Sequence, residues 1–287
     1  MPEGPEIRRA ADTVAAAIKD KRATEVFFGL DHLKPFEKIL SGEKVWAVET
    51  RGKAMLTRFS NGLNIYSHNQ LYGIWHTHPA YEFPDSSRQL RLAIHNDTHS
   101  ALLYSASDIA VLKDSELADH PFLQKLGPDV LSSDITPQQI IERLLHPKYC
   151  RRQLGRILTD QSFLAGLGNY LRCEILFVTG LPPKTTAQQC SPEKLEQLAG
   201  VILKLSQQSY KTAGITNDYQ RAKQLMSEGA SFEDARFYVF RRAGKPCYYC
   251  NTPIEKTSAN GQGLYFCPSC QNLDYGCSSA RNNSKST

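Results

Sequence analysis

Near the end of this 287-residue chain, Cys247-x2-Cys250 is followed by sixteen residues and then by Cys267-x2-Cys270. Each pair has the spacing of a tight knuckle that turns two thiolates toward one point, and four thiolates complete the tetrahedral shell that zinc prefers. A closed four-sulfur shell leaves no position for a substrate, so the expected cofactor is one structural Zn2+. Leu264, Tyr265 and Phe266 read as a strand entering the second knuckle, with turn chemistry supplied by Gly244-Lys245-Pro246 and Pro268. The segment must therefore fold as a metal-held β-hairpin. Zinc ribbons serve polymerases, ribosomal proteins and adaptors alike, so this hairpin constrains the fold without naming a function.

The remaining chain is long enough for more than one domain, and its 41% hydrophobic content is ample for real cores. A formal charge of +5 is compatible with a polyanionic partner but too mild to demand one. No stretch approaches the about 20 apolar residues that span a bilayer, and the N-terminus lacks the apolar core of a signal peptide. Cys150, Cys173, Cys190 and Cys277 are scattered, which fits reduced cytosolic thiols and buried small hydrophobes better than disulfides. A cytoplasmic protein with no membrane partner is expected.

Hydrophobic periodicity divides the chain. Ile7, Ala10, Ala11, Val14 and Ile18 recur at helical spacing, predicting an amphipathic helix from about Pro5 to Lys19. Strand signals follow at Lys44 to Arg51, Ala54 to Phe59 and Leu63 to Tyr66, the last two joined by an Asn61-Gly62 turn, and alternation returns at Leu90, Leu92 and Ile94. Antiparallel strands at this density indicate a sandwich or barrel. Breakers from His120-Pro121 to Gly127-Pro128-Asp129 mark a boundary. Beyond it the period becomes helical: Thr136-Pro137 opens a helix to about Leu145, with further helices near 151–163, 169–178 and 191–209. The tail from Ser278 to Thr287 is polar and expected to be disordered.

Two short segments carry possible chemistry. Loss of Met1 from Met1-Pro2-Glu3-Gly4-Pro5-Glu6 would leave a secondary amine beside a carboxylate. A terminal amine has a pKa of about 8 against about 10.4 for lysine, so a sizeable fraction, on the order of a tenth, is an unprotonated nucleophile at neutral pH. Read by itself, the same segment is also an ordinary helix entrance whose acids favour the N-terminal end of the dipole. The run Asp160 to Leu176 contains Gly166 and Gly168 between helical stretches, with Asn169 placed to cap the next helix. Such a turn can bring backbone N–H groups close to a phosphate, or simply connect two helices.

Together, Pro-Glu-Gly-Pro-Glu at the start, the run Gln161 to Glu174, the four-cysteine hairpin and the order of a β-rich half before a helical half resemble the Fpg/Nei family of DNA glycosylases over residues 1 to about 271. The resemblance implies an α+β fold: an N-terminal antiparallel β-sandwich with a packed helix (1–124), a linker (125–135), a helical helix-two-turn-helix domain (136–236), the zinc hairpin (237–271) and a tail (272–287). It implies a monomeric bacterial enzyme of the cytoplasm, associated with the nucleoid through its partner, double-stranded DNA containing oxidised pyrimidines or abasic sites.

The same resemblance implies site roles. Pro2 attacks the anomeric sugar carbon, Glu3 relays the proton that opens the ring, Glu6 is a supporting carboxylate, and Lys53 contacts DNA beside the lesion and assists proton transfer. Excision then passes through a Schiff base to β-elimination of the strand. Gln70, Leu71 and Tyr72 match the trio with which the pyrimidine-lesion branch fills the void left by a flipped base. Asn169 and Lys125 stand at phosphate-contact positions. Without the resemblance, Lys53 would read as an exposed hairpin lysine, and Leu71 and Tyr72 as core strand residues.

One position departs from the pattern. Five residues before the third cysteine, the family carries an arginine that grips phosphates and donates a proton in δ-elimination, and here Gln262 stands in its place. A neutral amide predicts weaker DNA binding and stalling after β-elimination. One alternative follows, a damaged-DNA-binding protein of the same fold with weakened catalysis; within the enzyme reading, purine lesions are the alternative substrate class.

Overall fold

A computed structural model describes residues 2–272, in two compact units. Met1, the tail expected at 272–287 from residue 273 onward, and Cys277 lie outside the described residues.

The first unit comprises residues 1–130 with 164–166. It opens with helix α1 (Gly4–Ile18), whose buried face of Ile7, Ala11, Val14, Ala17 and Ile18 follows the predicted period. Strand β1 (Glu25–Phe28) and the one-turn helix α2 (Glu37–Leu40) lead into β2 (Val45–Arg51), β3 (Ala54–Phe59), β4 (Leu63–His68), β5 (Ile74–Pro79), β6 (Leu90–His95), β7 (His99–Tyr104) and β8 (Asp108–Lys113). They form two four-stranded antiparallel sheets, ordered β1-β6-β7-β5 and β2-β3-β4-β8. Phe28, Leu92, Ile94 and Leu103 from the first sheet meet Val45, Met55, Phe59 and Ile65 from the second, together with Val14 and Ile18 of α1. Burying each such side chain contributes about 1.5–3 kcal/mol relative to exposure. Of the sandwich or barrel indicated by strand density, the sandwich is present, with the buried face of α1 contributing to its core. The chain changes sheets between β4 and β5, so residues 69–73 form a corner rather than a continued strand.

The second unit holds, among the described residues, 131–163 and 167–272. Helix α3 (Pro137–Leu145) begins where Thr136 caps it, its side chain accepting from the Gln139 N–H. The helix expected near 151–163 is reduced to one turn, α4 (Leu154–Ile157). The reason is competing hydrogen bonds: Leu154 and Gly155 donate their N–H groups to Thr185 O and Pro183 O at 2.7 and 2.9 Å, and the Asp160 carboxylate holds Ser162 N–H in a turn. Helices α5 (Asn169–Thr179) and α6 (Pro192–Lys211) lie close to their expected spans, followed by α7 (Tyr219–Ser227), α8 (Phe232–Ala235) and the hairpin β9 (Glu255–Ala259) and β10 (Gln262–Phe266).

The hairpin is not an appendage. Cys173 and Phe177 of α5 share one buried cluster with Val239, Ile254, Leu264, Cys247 and Cys267. Cys173, read as a buried small hydrophobe, fills that position. On the same helix the fully buried Glu174 accepts the N–H groups of Tyr238, Val239 and Phe240 at 2.7, 2.9 and 2.9 Å, and the Thr216 hydroxyl at 2.7 Å. Burial pushes this carboxyl upward while the four donors oppose that shift. They satisfy backbone groups between the helices and the hairpin that would otherwise be orphaned.

Candidate active site and zinc centre

The candidate active site is built where α1 begins. Glu3 is the residue before the first helical turn, in extended conformation, and its backbone N–H donates to Glu6 Oε2 at 3.0 Å. This is one arm of a capping arrangement, and it ties the two acids to one point. Gly4 donates its N–H to Gly166 O at 2.7 Å, and a Cβ on Gly4 would lie 2.9 Å from Gly166 Cα. Only glycine permits that approach, so the Pro2-Glu3 entrance is fixed from outside the helix. Glu3 itself is 2% exposed.

Lys53 occupies the turn between β2 and β3 and is 6% exposed, so it is not the solvent-facing hairpin lysine that its local sequence suggests. Burial holds its ammonium below the ordinary lysine range, while the negative charges of Glu3 and Glu6 act in the opposite sense. The neighbouring Gly52 donates its N–H to Asp129 Oδ2 at 2.8 Å, which anchors the turn. Asp129 was visible in the sequence only as part of a breaker cluster. Its positioning contact is 77 residues away along the chain, and no local pattern announces it.

A cavity of about 340 Å³ opens beside Pro2 and Glu6, with Asn69, Leu71, Tyr72 and Trp75 among its walls. The predicted trio forms the corner between β4 and β5. Leu71 and Tyr72 are 61% and 70% exposed, which excludes a core-strand role. Gln70 has a positive φ of 50°, uncommon for a non-glycine residue. Its N–H donates to His68 Nδ1 at 3.1 Å and its Oε1 accepts from the Ser107 hydroxyl at 3.1 Å. Arg88 Nη1 donates to Tyr72 O at 2.7 Å. Burial lowers the His68 pKa, favouring the neutral ring that Nδ1 needs to accept; Asp108 opposes this and Lys53 adds to it. No local sequence signal assigns these contacts to Arg88 or His68, because they depend on where the corner folds.

The structure thus gathers Pro2, Glu3, Glu6, Lys53 and the trio in one unit. Lys125 also belongs to that unit, exposed at the end of a single 3-10 turn (Leu123–Lys125). Asn169 belongs to the second unit. It is not the cap residue that its sequence position suggested: Gly168 occupies the cap and Asn169 is the first helical residue. Its Nδ2 donates to Gly263 O at 2.9 Å and its Oδ1 accepts from Arg172 Nη2.

In the zinc centre the Sγ atoms of Cys247, Cys250, Cys267 and Cys270 all lie within 4.8 Å of one another. Sulfur ligands at about 2.3 Å from a tetrahedral ion sit roughly 3.8 Å apart, and Cys247 Sγ to Cys270 Sγ is 3.8 Å. The donor set and its spacing fit one Zn2+, which would hold the two knuckles together and take no part in bond making.

Three domain families match in series: the "Formamidopyrimidine-DNA glycosylase N-terminal domain" over residues 1–107, the "Formamidopyrimidine-DNA glycosylase H2TH domain" over 126–220, and the "Zinc finger found in FPG and IleRS" over 244–273. The chain belongs to the Fpg/Nei family of DNA glycosylases. Among its curated relatives, Endonuclease 8 of Salmonella paratyphi B is 48% identical over 271 residues, covering 94% of this chain and all of the relative. Endonuclease 8 of Escherichia coli K12 has the same identity and coverage. The fold matches that of Lactococcus lactis Fpg bound to DNA with an abasic site, at a TM-score of 0.77 and 18% identity over 94% of this chain and 99% of that one. No helix among the described residues is long and apolar enough to cross a membrane.

Proposed function

We propose that this chain is a base-excision-repair DNA glycosylase with AP lyase activity, removing oxidised pyrimidines in the bacterial cytoplasm. The observation that carries the reading is the convergence of Pro2, Glu3, Glu6 and the buried Lys53 at the start of α1, beside a cavity walled by the exposed corner residues Leu71 and Tyr72.

After Met1 is removed, the Pro2 nitrogen lone pair bonds to the sugar C1′ as the glycosidic electrons leave with the base, and the N–H proton that the nitrogen must shed passes to the departing base. Glu3 delivers the proton that opens the ring at its oxygen, leaving a charged iminium. That electron sink acidifies C2′–H. Loss of the proton to a nearby base and expulsion of the 3′ phosphate then cleave the strand. Lys53, with its depressed pKa and two carboxylates nearby, is suited to carry protons between these steps. Gln70, Leu71 and Tyr72 occupy the space vacated by the flipped base, while Asn169 and Lys125 contact phosphates.

A second reading, a damage-binding protein with weakened catalysis, is favoured by Gln262 alone. Borohydride trapping on a thymine-glycol duplex, followed by mass spectrometry of the adducted peptide, separates the two. A covalent adduct on Pro2 is expected. Its absence in correctly processed protein that still binds the duplex overturns the enzyme reading.

A further inference from the structure

The hairpin register assigns every side chain to a face. Gln262 pairs with Ala259 and Leu264 with Thr257, while Gly263 pairs with Ser258 and Tyr265 with Lys256. Opposed residues share a face and successive residues alternate, so Gln262 lies on the same face as Leu264, which is 1% exposed and part of the core with α5. Gln262 Oε1 is buried on that face and has no hydrogen-bond partner among the described residues. The other face carries Lys256. At residue 263 that face has no side chain, and the lysine uses the gap: its Cε lies 2.8 Å and its Nζ 3.7 Å from where a Cβ of residue 263 would stand. A larger residue at 263 would displace the ammonium. No carboxylate among the described residues pairs with Lys256, and the Tyr265 ring lies 5.8 Å from its Nζ.

The backbone under the ammonium is held firmly. Gly263 O accepts from Asn169 Nδ2 at 2.9 Å, and Asn169 begins the 11-residue helix α5. Arg172 Nη1 adds a longer contact of 3.5 Å to Ala259 O at the other side of the turn. The positive end of the α5 dipole and the Lys256 ammonium therefore both adjoin residue 263, and both favour an anion.

We propose that Lys256, rather than Gln262, supplies the cationic contact of this hairpin to a DNA backbone phosphate, with Gly263 as the notch that lets it do so. The proposal rests on the glycosylase reading above. It offsets the weaker grip expected from Gln262 alone and assigns that residue to packing.

The test is titration of zinc-loaded full-length protein with a duplex carrying a tetrahydrofuran abasic analogue, at several salt concentrations. Lys256→Met is expected to lower affinity about tenfold, as for loss of one charge-assisted contact, and to reduce the slope of log K against log salt by about 0.9. Lys256→Arg should restore both, and Gln262→Ala should change neither by more than about twofold. If zinc content shows that Lys256→Met disturbs the hairpin, Gly263→Val, which fills the notch, should give the same loss of slope. A wild-type slope in the zinc-loaded lysine or notch variant, or a larger loss in Gln262→Ala, overturns the proposal. Failure of the wild-type protein to prefer the abasic duplex would instead overturn the glycosylase reading on which it rests.

Discussion

The Glu6 carboxylate accepts the backbone N–H of Glu3 at 3.0 Å, so the side chain that closes the helix entrance also fixes the backbone of Glu3 next to Pro2. Capping and charge can be separated by substitution. Glu6→Gln keeps an acceptor and should leave stability within about 0.5 kcal/mol, whereas Glu6→Ala should cost about 1 kcal/mol in denaturant unfolding. Both should slow borohydride trapping, the alanine variant more. Equal stability and equal trapping in all three proteins would show that the contact positions nothing.

Lys53 should be a destabilising residue kept for its chemistry. Its folded pKa lies below the ordinary 10.5, with burial the larger cause and Glu3 and Glu6 opposing. Between the folded and unfolded values the unfolded chain binds more protons, so wild-type stability rises with pH through that window. The penalty is present in full below the folded value and vanishes toward 10.5. Lys53→Met should therefore unfold at higher denaturant at pH 7, while base excision falls at least about tenfold. Unfolding curves from pH 7 to 10.5 should converge. A less stable variant at pH 7 would contradict the assignment.

Arg88 holds the corner by its bond to Tyr72 O at 2.7 Å. Because its own side chain is exposed, Arg88→Ala should change stability by less than about 0.5 kcal/mol. Excision from duplex DNA should nevertheless slow by about fivefold to tenfold, the equivalent of one hydrogen bond, whereas strand cleavage at a single-stranded abasic site, with no stack to fill, should not. Equal slowing on both substrates would place Arg88 in the chemistry instead of the corner.

Zinc removal should spread beyond the metal. Cys247 and Cys267 share their cluster with Cys173 and Phe177, so chelation should strip amide-exchange protection from α5 as well as from β9 and β10. Strands β3 and β7 should retain theirs. Loss confined to the hairpin would show that α5 holds its conformation without the metal-clamped cluster.

The helices α1 and α3, the β3–β4 hairpin and the zinc knuckles were legible in the sequence because each is set by local chemistry: hydrophobic period, capping residues, an Asn-Gly turn and thiol spacing. Local signals failed where distant partners intervened. Helicity near residues 151–163 gave way to hydrogen bonds from Leu154 and Gly155 to residues 185 and 183. Asn169 lost its expected cap to Gly168 because the chain enters α5 one residue earlier.

The candidate site divides in the same way. The four cysteines carry their chemistry in residue type and spacing, and the family was legible in the sequence; Pro2 and Glu3 became candidates only through that family resemblance, since alone they read equally as a helix entrance. Only the tertiary structure decided that Lys53 is buried beside Glu3 and Glu6, that Leu71 and Tyr72 stand on an exposed corner, and that Gln262 faces inward while Lys256 lies over Gly263. Burial, sheet switching and strand register are properties of contacts between remote segments. A pKa or a side chain's direction follows from those contacts, so neither could be read from the residues alone.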